Sequence, residues 1–535
     1  MPSPTFAGLT GNRLSLAIST VATTGFLLFG YDQGVMSGII DADPFKAYFP
    51  ETHNQTIQGL VTAIYEIGCL MGAMSILAYG DLLGRRKAMI MGGVIMILGV
   101  IIQISAVKGH AQLAQFIVGR VVTGVGNGIN TSTIPTYQAE CSKTSNRGLL
   151  ICIEGGVIAF GTMIAYWIDY GCSYGSSDLS WRFPIAFQCI FGLVLCISMI
   201  WLPESPRWLL THERYEDAER VIAAIRGFEV DSDDTRMERD IILDSIRASG
   251  FAGQKSTPIK ALFTGGKTQH FRRMLLGSGS QFMQQVGGCN AVIYYFPILA
   301  ENILHDKNLA LLLGGVNMIV YSIFATGSWF LIERVGRRKL LLYGTAGQMF
   351  SMIITFACLI PGAQAPSAKG GLLGLFTYIA SFGATWLPLP WLYPAEINPL
   401  KTRGKANATS TCTNWLFNFA VVMVVPDMLK AMPWGTYLFF GCTNACFFPI
   451  LYFFYPETAN RSLEEIDIIF AKGYVEKISY VKAAKELPFL TQEQIEQEAV
   501  RLGLVDHASH GVLNEKPVEN SDDIRNDAGF ASEKS

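Results

Sequence analysis

Six polar side chains lie within fifteen residues of an otherwise apolar segment, and their types determine what it could bind. They are Gln281, Gln284, Gln285, Asn290, Tyr294 and Tyr295. An amide both donates and accepts hydrogen bonds, which matches the needs of a neutral, hydroxyl-rich solute. Buried amides are costly unless they face water, a ligand or one another. The cluster therefore predicts a ligand wall, with hydrogen bonding between helices as the structural alternative.

Two later apolar segments add to this wall. Trp391 follows Pro388 and lies next to Pro390, and the two prolines interrupt a helix because they remove backbone donors. The indole of Trp391 offers a flat apolar face to a sugar ring. Asn414 and Asn418 are four residues apart, so both amides lie on one helix face. The predicted binding residues are Gln284, Gln285, Asn290, Tyr294, Trp391 and Asn414.

An acid and a cation also stand inside apolar segments, where ionisable groups are costly and mark functional sites by default. Asp32 and Arg120 could form a pair that loosens when the acid binds a proton, which predicts proton coupling. The alternative is a permanent salt bridge that only holds helices together. Glu66, Glu154 and Asp169 lie in apolar segments as well, and the sequence names no partner for them.

A basic motif occurs twice, 252 residues apart, and each copy separates two long apolar segments. Residues 81–87 read Asp-Leu-Leu-Gly-Arg-Arg-Lys, and residues 333–339 read Glu-Arg-Val-Gly-Arg-Arg-Lys. Repetition at about half the chain length predicts two homologous membrane bundles. Acids and arginines near these motifs predict an inner gate, in which opposite charges hold one face closed. Its members are Asp81, Arg85, Glu140, Arg147, Glu333, Arg337, Glu396 and Arg403.

The elements that must position these residues are membrane-spanning helices. Half of the 535 residues are apolar and only 16% are charged, against about a quarter in soluble proteins. Apolar windows near the ~20 residues that cross a bilayer recur along the chain, and helices are expected because isolated strands cannot satisfy their backbone in lipid. The twelve predicted spans are 14–38, 58–79, 88–107, 111–135, 148–170, 182–202, 273–300, 309–333, 339–361, 371–394, 405–428 and 434–455.

Lysine and arginine sort the loops into two sets, which predicts the orientation. The loops that carry the repeated motifs are basic, whereas the alternate loops hold about one cation each. Because basic loops stay in the cytoplasm, both termini are expected there. Asn54 would then lie outside, in an Asn-Gln-Thr glycan acceptor sequence. The N-terminus shows no signal peptide pattern.

The domain boundaries follow from the spans. We expect an N-terminal segment at 1–13, a six-helix bundle at 14–202 and a charged cytoplasmic linker with short helices at 203–272. A second six-helix bundle is expected at 273–455, and a cytoplasmic tail at 456–535 whose end has a disorder-prone composition. The predicted fold class is an all-α membrane protein with twelve transmembrane helices in two pseudo-symmetric bundles.

Other function classes lack the residues they need. The net charge of −2 argues against a nucleic-acid partner. The eleven cysteines show no metal-ligand spacing, so no metal or cofactor is expected. No P-loop, HExxH or nucleophile-elbow motif is present, which argues against an enzyme. The glycines at 124, 126 and 128 are expected to form a close-packing helix face, because no strand precedes them.

Several motifs resemble those of the sugar porter family of the major facilitator superfamily, over nearly the whole chain to about residue 470. They are residues 81–87, Pro-Glu-Ser-Pro-Arg-Trp at 203–208, Gln-Gln-Val-Gly-Gly-Cys-Asn at 284–290, residues 333–339, and Pro-Glu-Thr at 456–458 followed by Arg-Ser-Leu-Glu-Glu at 461–465. Residues 136–140, 147–156 and 166–170 look most like the fungal glycerol–proton symporter branch, whose relatives include hexose carriers.

The resemblance implies roles for individual residues. Gln284, Gln285, Asn290, Trp391 and Asn414 match sugar-contacting positions, and Asp32 with Arg120 matches the proton-coupling pair of bacterial symporters. Two positions depart from the pattern: Gly155 stands where relatives have a fifth-span glutamine, and Tyr321 near an eighth-span asparagine. Both changes weaken the inference of a hexose and leave a smaller polyol as an alternative.

Together, the residues and the resemblance predict a carrier in the plasma membrane. It would import a monosaccharide, such as glucose, or a small polyol, such as glycerol, by alternating access with proton symport. The alternatives are an uncoupled facilitator and a non-transporting sugar sensor. Its expected partners are the solute, the proton and the lipid bilayer.

Overall fold

A computed structural model describes residues 5–6, 8–142, 147–175, 177–248, 259–362, 365–399 and 401–504. In these ranges the chain is almost entirely helical. The side chains of residues 147–152, and the predicted disorder near the C-terminus, lie outside the described part.

The first bundle holds six long helices and one short surface helix. Its elements are α1 Gly11–Ile39, α2 Asp43–Tyr48, α3 Gln55–Leu83, α4 Arg85–Ile104, α5 Gln112–Cys141, α6 Arg147–Cys172 and α7 Leu179–Trp201. Asn54 caps α3, since its side chain accepts the Thr56 N–H at 2.9 Å. All six spans predicted for this half are confirmed as helices.

Three short helices form the connector. They are α8 Pro206–Thr211, α9 Tyr215–Arg226 and α10 Asp233–Ala248, followed by a 3-10 turn at Ile259–Phe263. Short helices are thus present in the segment 203–272, where the sequence predicts them.

The second bundle repeats the first with two interrupted spans. Its helices are α11 His270–Val286, α12 Cys289–Leu304, α13 Lys307–Val335, α14 Arg337–Leu359, α15 Ala368–Ser381, α16 Leu389–Ile397, α17 Arg403–Ala431 and α18 Gly435–Phe454. The seventh predicted span is the pair α11 and α12, and the tenth is α15 and α16 with a π-helical turn at Phe382–Trp386 between them.

The tail continues the fold past the last span. It forms α19 Leu463–Val475, α20 Tyr480–Glu486 and α21 Gln492–Arg501. Ser462 and Glu465 form a capping box at the start of α19, so the side chain of each residue satisfies a backbone N–H of the other. Arg273 of α11 forms an ion pair with Asp467 at 2.5 Å, which fastens α19 to the second bundle.

The surface supports a bilayer environment. Nine of the described helices, with α15 and α16 counted as one, are long and apolar enough by themselves to cross a membrane. Large apolar side chains on these helices are exposed, including Leu98, Ile197, Phe330, Phe350 and Phe453. Contiguous apolar surface of this kind is unfavourable in water and is expected against lipid. The remaining predicted spans correspond to α5, α6 and the α11–α12 pair.

Small residues bring the helices of the first bundle into close contact. A Cβ atom on Gly124 would stand 2.2 Å from the Tyr65 carbonyl oxygen, and one on Gly128 would stand 2.1 Å from that of Cys69. Such approaches are typical of membrane helix interfaces. The predicted close packing is therefore confirmed, but on two sides of α5: Gly124 and Gly128 face α3, whereas a Cβ on Gly126 would stand 2.4 Å from the Gly92 carbonyl oxygen of α4.

Candidate functional site

The seventh span is broken at two glycines in the middle of the second bundle. α11 ends at Val286, and Gly288 adopts φ +98° before α12 begins. This left-handed conformation favours glycine, and a Cβ there would lie 2.8 Å from the Phe440 ring. The carbonyl of Gly287 accepts hydrogen bonds from the Tyr378 hydroxyl at 2.9 Å and from the Asn444 amide at 3.0 Å. Polar side chains thus satisfy the backbone that the break releases.

The predicted amides meet around this break. Asn414 donates to Gln281 Oε1 at 2.6 Å and to Gln284 Oε1 at 3.0 Å. Asn290 donates to Gln285 Oε1 at 2.6 Å and to Asn418 Oδ1 at 2.5 Å. All six residues are buried. Three helices, α11, α12 and α17, therefore bring their amides together at one place.

The tenth span supplies backbone acceptors to the same cluster. Gln284 donates to the Trp386 carbonyl at 2.7 Å, and Gln281 donates to the Pro390 carbonyl at 2.8 Å. These carbonyls are free because the residues four positions further on, Pro390 and Pro394, have no backbone N–H to donate to them. Trp391 is half-buried beside them. The prolines that mark this segment in the sequence thus lie at the site.

Several buried polar atoms of the second bundle lack a hydrogen-bond partner in the described part of the chain. They are Asn414 Oδ1, Asn418 Nδ2, both amide atoms of Asn317, the Tyr321 hydroxyl and Trp329 Nε1. An unsatisfied buried polar atom costs about 1–3 kcal/mol. A solute with several hydroxyl groups would satisfy donors and acceptors of this kind.

The two positions that depart from the sugar porter pattern lie near the broken tenth span. A Cβ on Gly155 would lie 3.2 Å from Pro388, so any side chain there would be in tight contact. Tyr321 packs its ring 5.9 Å from that of Phe382, in the π-helical turn. A small residue and a bulky phenol thus occupy the two places at which the sugar porter pattern predicts polar side chains.

The acid and the guanidinium of the first bundle are linked through an aromatic residue. The Tyr65 hydroxyl donates to Asp32 Oδ2 at 3.1 Å, and Arg120 lies over the Tyr65 ring at 4.7 Å. Arg120 donates to the Thr62 carbonyl at 3.1 Å, and Asn127 donates to the Tyr65 hydroxyl. Tyr65 therefore mediates the interaction that the sequence predicted as a direct pair.

Each repeated motif builds a charged cluster at the same end of its bundle, here termed the motif face. In the first, Arg85 donates to Glu140 at 3.1 Å and to Asp81 at 3.3 Å. Glu204 accepts the Arg85 N–H at 3.0 Å, and the N–H of Ser205 donates to it at 2.9 Å. Burial raises the pKa of Glu204, while these backbone donors lower it. A carboxylate at a helix N-terminus also interacts favourably with the helix dipole.

The second cluster repeats this arrangement. Arg337 donates to Glu396 at 2.7 Å and to Glu333 at 2.8 Å. Glu457 accepts the Arg337 N–H at 2.8 Å, as Glu204 accepts that of Arg85, and Thr458 donates to Glu396 at 2.6 Å. These predicted gate charges pair within their own bundle. The Arg147 side chain lies outside the described part, and Arg403 donates to the Asn398 carbonyl at 3.2 Å.

The other end of the molecule, here termed the opposite face, carries contacts between the two bundles. Thr56 donates to Asp427 at 3.1 Å, and Lys430 donates to Gln55 at 3.1 Å. Lys307 bonds the Asp41 carbonyl at 2.6 Å and the Asp43 carboxylate at 3.0 Å. The Tyr166 hydroxyl donates to the Ile293 carbonyl deeper in the interface. These contacts hold the bundles together at the opposite face.

Comparison with known families identifies the family of this chain. The sequence model of the sugar (and other) transporter family matches residues 17–470. The chain belongs to this family. It is 45% identical over 508 residues to the sugar transporter STL1 of Saccharomyces cerevisiae, covering 93% of this chain and 89% of the relative. It is 44% identical to the major facilitator superfamily transporter mfsA of Aspergillus fumigatus, covering 97% of both chains.

Solved structures agree with this sugar-transporter assignment at the level of the fold. The proton:xylose symporter XylE, bound to 6-bromo-6-deoxy-D-glucose, superposes with a TM-score of 0.72 at 24% identity and covers 85% of this chain and 99% of its own. The inward-open form of the xylose transporter XylE from E. coli gives a TM-score of 0.70 at 25% identity, covering 85% and 99%. The predicted major facilitator fold is thus confirmed for this transporter.

Some residues of the transporter site were not predicted from the sequence. Tyr65 and Asn127 were not singled out, because local spacing does not show that their helices meet beside Asp32. Glu66 was noticed without a partner, and the structure supplies it: the Tyr294 hydroxyl donates to Glu66 Oε1 at 2.6 Å, across the bundle interface. The two residues are 228 apart in the chain, a separation that no local pattern bridges.

Proposed function

We propose that this chain imports a monosaccharide, such as glucose, or a small polyol, such as glycerol, across the plasma membrane by alternating access with proton symport. The observation that carries the proposal is the convergence of buried amides on the break between α11 and α12. The relatives support it, since they are named a sugar transporter and, in Kluyveromyces lactis, a high-affinity glucose transporter.

The chemistry of the cluster favours a neutral solute. Gln284, Gln285, Asn290 and Asn414 carry no charge, and each amide offers a donor and an acceptor to a hydroxyl group. The half-buried Trp391 adds an apolar face for the C–H surface of a ring. Ligand sites commonly combine such an apolar wall with a few placed polar groups.

Gly155 and Tyr321 bear on the size of the solute. Relative to the sugar porter pattern, the site loses a polar side chain at the first position and gains a phenol at the second. Fewer hydrogen-bond partners and less space suit a short polyol as well as a hexose. Both substrates therefore belong to the proposal.

Proton symport is proposed from the buried Asp32, which lies beside Tyr65 and Arg120 at membrane depth. Binding of a proton by Asp32 would weaken its attraction to Arg120 and so change how α1, α3 and α5 interact. XylE, which shares the fold, is described as a proton symporter. An uncoupled facilitator and a non-transporting sensor remain the rival outcomes of the experiments.

The orientation follows from the basic motifs. The motif face is proposed to lie in the cytoplasm together with both termini, because cytoplasmic loops are rich in Lys and Arg. The opposite face, with the exposed Asn54, would then lie outside and could carry a glycan. In this orientation the inner gate comprises the charged clusters of the motif face.

Transport is tested in a host cell that lacks its own sugar and glycerol carriers. Labelled glucose and labelled glycerol are supplied separately, and uptake is expected for at least one of them. Gln284→Ala should reduce uptake, whereas Gln115→Ala, a half-buried amide of α5 far along the chain from the site, should not. Uptake of neither solute would favour a sensor.

Coupling is tested with the same cells in a weakly buffered medium. Addition of the substrate should make the medium more alkaline, and a protonophore should abolish accumulation. Asp32→Asn should prevent accumulation while exchange of labelled for unlabelled substrate continues. Uptake that is insensitive to the protonophore would indicate facilitation.

A further inference from the structure

Two buried acids and one guanidinium lie together where the first bundle meets the second. Asp32, Glu66 and Arg120 are each fully buried. If both acids were ionised, the group would carry one negative charge that no cation balances, in a place where water does not solvate it. Burial of such a charge is strongly unfavourable. The composition of the group therefore favours one bound proton shared between two acids.

Glu66 interacts with titratable groups of its own helix and of three neighbouring helices. They are Asp32 of α1, Tyr65 and Cys69 of α3, Arg120 of α5, and Cys289 and Tyr294 of α12. Arg120 is the single cation of this set. Its Nε and Nη1 atoms have no hydrogen-bond partner in the described part of the chain, so its charge is not committed to either acid.

Glu66 is also connected to the amide cluster. The Tyr294 hydroxyl donates to its Oε1 at 2.6 Å, and its Oε2 has no partner among the described residues. Tyr294 follows Asn290 by one helical turn, so both side chains lie on the same side of α12. Asn290 in turn bonds Gln285 and Asn418. A single residue thus joins Glu66 of one bundle to the predicted substrate site of the other.

We propose that Glu66 is a second binding site for the coupled proton, which it shares with Asp32. The protonated form of Glu66, bonded to Tyr294, helps to hold the opposite face closed. The proposal rests on the proposed symport function. When the opposite face opens, Tyr294 moves away and Glu66 meets external water. A proton from that water adds to a carboxylate oxygen, and no other covalent bond changes. The same proton leaves to cytoplasmic water after the motif face opens.

The decisive variant is Glu66→Gln. The glutamine carbonyl still accepts the Tyr294 hydroxyl, but the side chain can neither bind nor release a proton. In liposomes with a pH gradient of about two units, one-proton symport sustains at most about a hundredfold accumulation, because each unit is worth a factor of ten. The purified wild-type protein should approach such a ratio, and Glu66→Gln should fall to about one while it still exchanges labelled substrate.

Two further variants separate the proton from the hydrogen bond. Tyr294→Phe removes the bond to Glu66 but leaves the acid, so accumulation and the proton-to-substrate ratio should persist while the Michaelis constant rises. Asp169→Asn is the matched control, because Asp169 is a buried acid of α6 that accepts the Gly38 N–H at 3.2 Å. Its pH profile should match that of the wild type.

The outcomes distinguish this inference from the function on which it rests. If Glu66→Gln accumulates substrate with an unchanged pH profile while Asp32→Asn does not, Glu66 is not a proton site and symport stands. If the wild-type protein takes up substrate without protons, symport itself is wrong. If Glu66→Gln does not reach the membrane, Glu66→Asp is the variant to measure. This shorter acid should keep proton coupling but shift the pH optimum of uptake. An unshifted optimum overturns the inference.

Discussion

Asn414 donates to two glutamines of α11 at once, and its Oδ1 atom is left without a partner among the described residues. We expect Asn414→Ala to raise the Michaelis constant for the transported solute about three- to tenfold, because a hydrogen bond contributes about 0.5–1.5 kcal/mol. Concentration-dependent uptake measures the change. Asn407→Ala, a half-buried amide two turns earlier in α17, is the control. Equal constants for the two variants would remove Asn414 from the site.

Among individual residues, the sequence predicted the grouping of the amides better than that of the ionisable residues. Asn414 and Asn418 share a face through local spacing, and glutamines in a short apolar segment are noticeable in themselves. The relation of Asp32 to Arg120 depends on a third helix, which places Tyr65 between them. Such a contact depends on how the helices pack, and the spacing of residues along one helix does not reveal that packing.

Gly288 determines the geometry of the broken seventh span. It lies at φ +98°, and a Cβ would approach the Phe440 ring to 2.8 Å. A non-glycine residue held in an unfavourable backbone conformation costs about 1–3 kcal/mol. Gly288→Ala should therefore lower the melting temperature of the purified protein and reduce uptake. Gly327→Ala in α13, where a Cβ meets nothing within 4 Å, should lower neither. An unaltered melting temperature for Gly288→Ala would contradict this account of the break.

The two motif clusters should act as equivalent and separate stabilising units. Glu457 accepts backbone hydrogen bonds from Arg337, Arg338 and Thr458, and Glu204 holds the matching place in the first bundle. Hydrogen bonds to charged groups contribute about 1.5–3 kcal/mol. Glu457→Ala and Glu204→Ala should each destabilise the protein by that order.

Because the two clusters share no residue, the effects of these substitutions on unfolding should add in the double variant. Denaturant unfolding in detergent measures all three variants. Strong non-additivity would mean that the two clusters interact energetically, which would contradict their role as separate stabilising units.

For elements, the sequence located the spans and the interruption of the tenth span, but it assigned less to the tail. Proline in an apolar segment is a local signal, so the break near 388 could be placed. The helices α19 to α21 pack largely through contacts with one another and with α11, as in the Arg273–Asp467 pair. These tertiary contacts stabilise helices whose isolated sequences read as a polar tail.

For the whole molecule, the repeated motif predicted two bundles, and the structure shows how each repeat uses it. The predicted gate charges at Arg85 and Arg337 are satisfied inside their own bundles. The contacts that join the bundles at the opposite face involve Thr56, Lys307 and Lys430, which the motif does not include. Repetition in sequence therefore indicates symmetry, whereas the interface depends on residues that differ between the halves.

Alternating access requires the contacts at the opposite face to break in each cycle. Exposed polar pairs contribute only about 0.2–1 kcal/mol each, so Thr56 and Asp427 can separate readily. A Thr56→Cys/Asp427→Cys variant joined by a short, cleavable thiol cross-linker should lose uptake and recover it after reduction. Each single-cysteine variant, treated with the same reagent, controls for the reactivity of the exposed native Cys442 and Cys446. Full uptake by the cross-linked double variant would mean that this face need not open, and the solute would have to enter by another route.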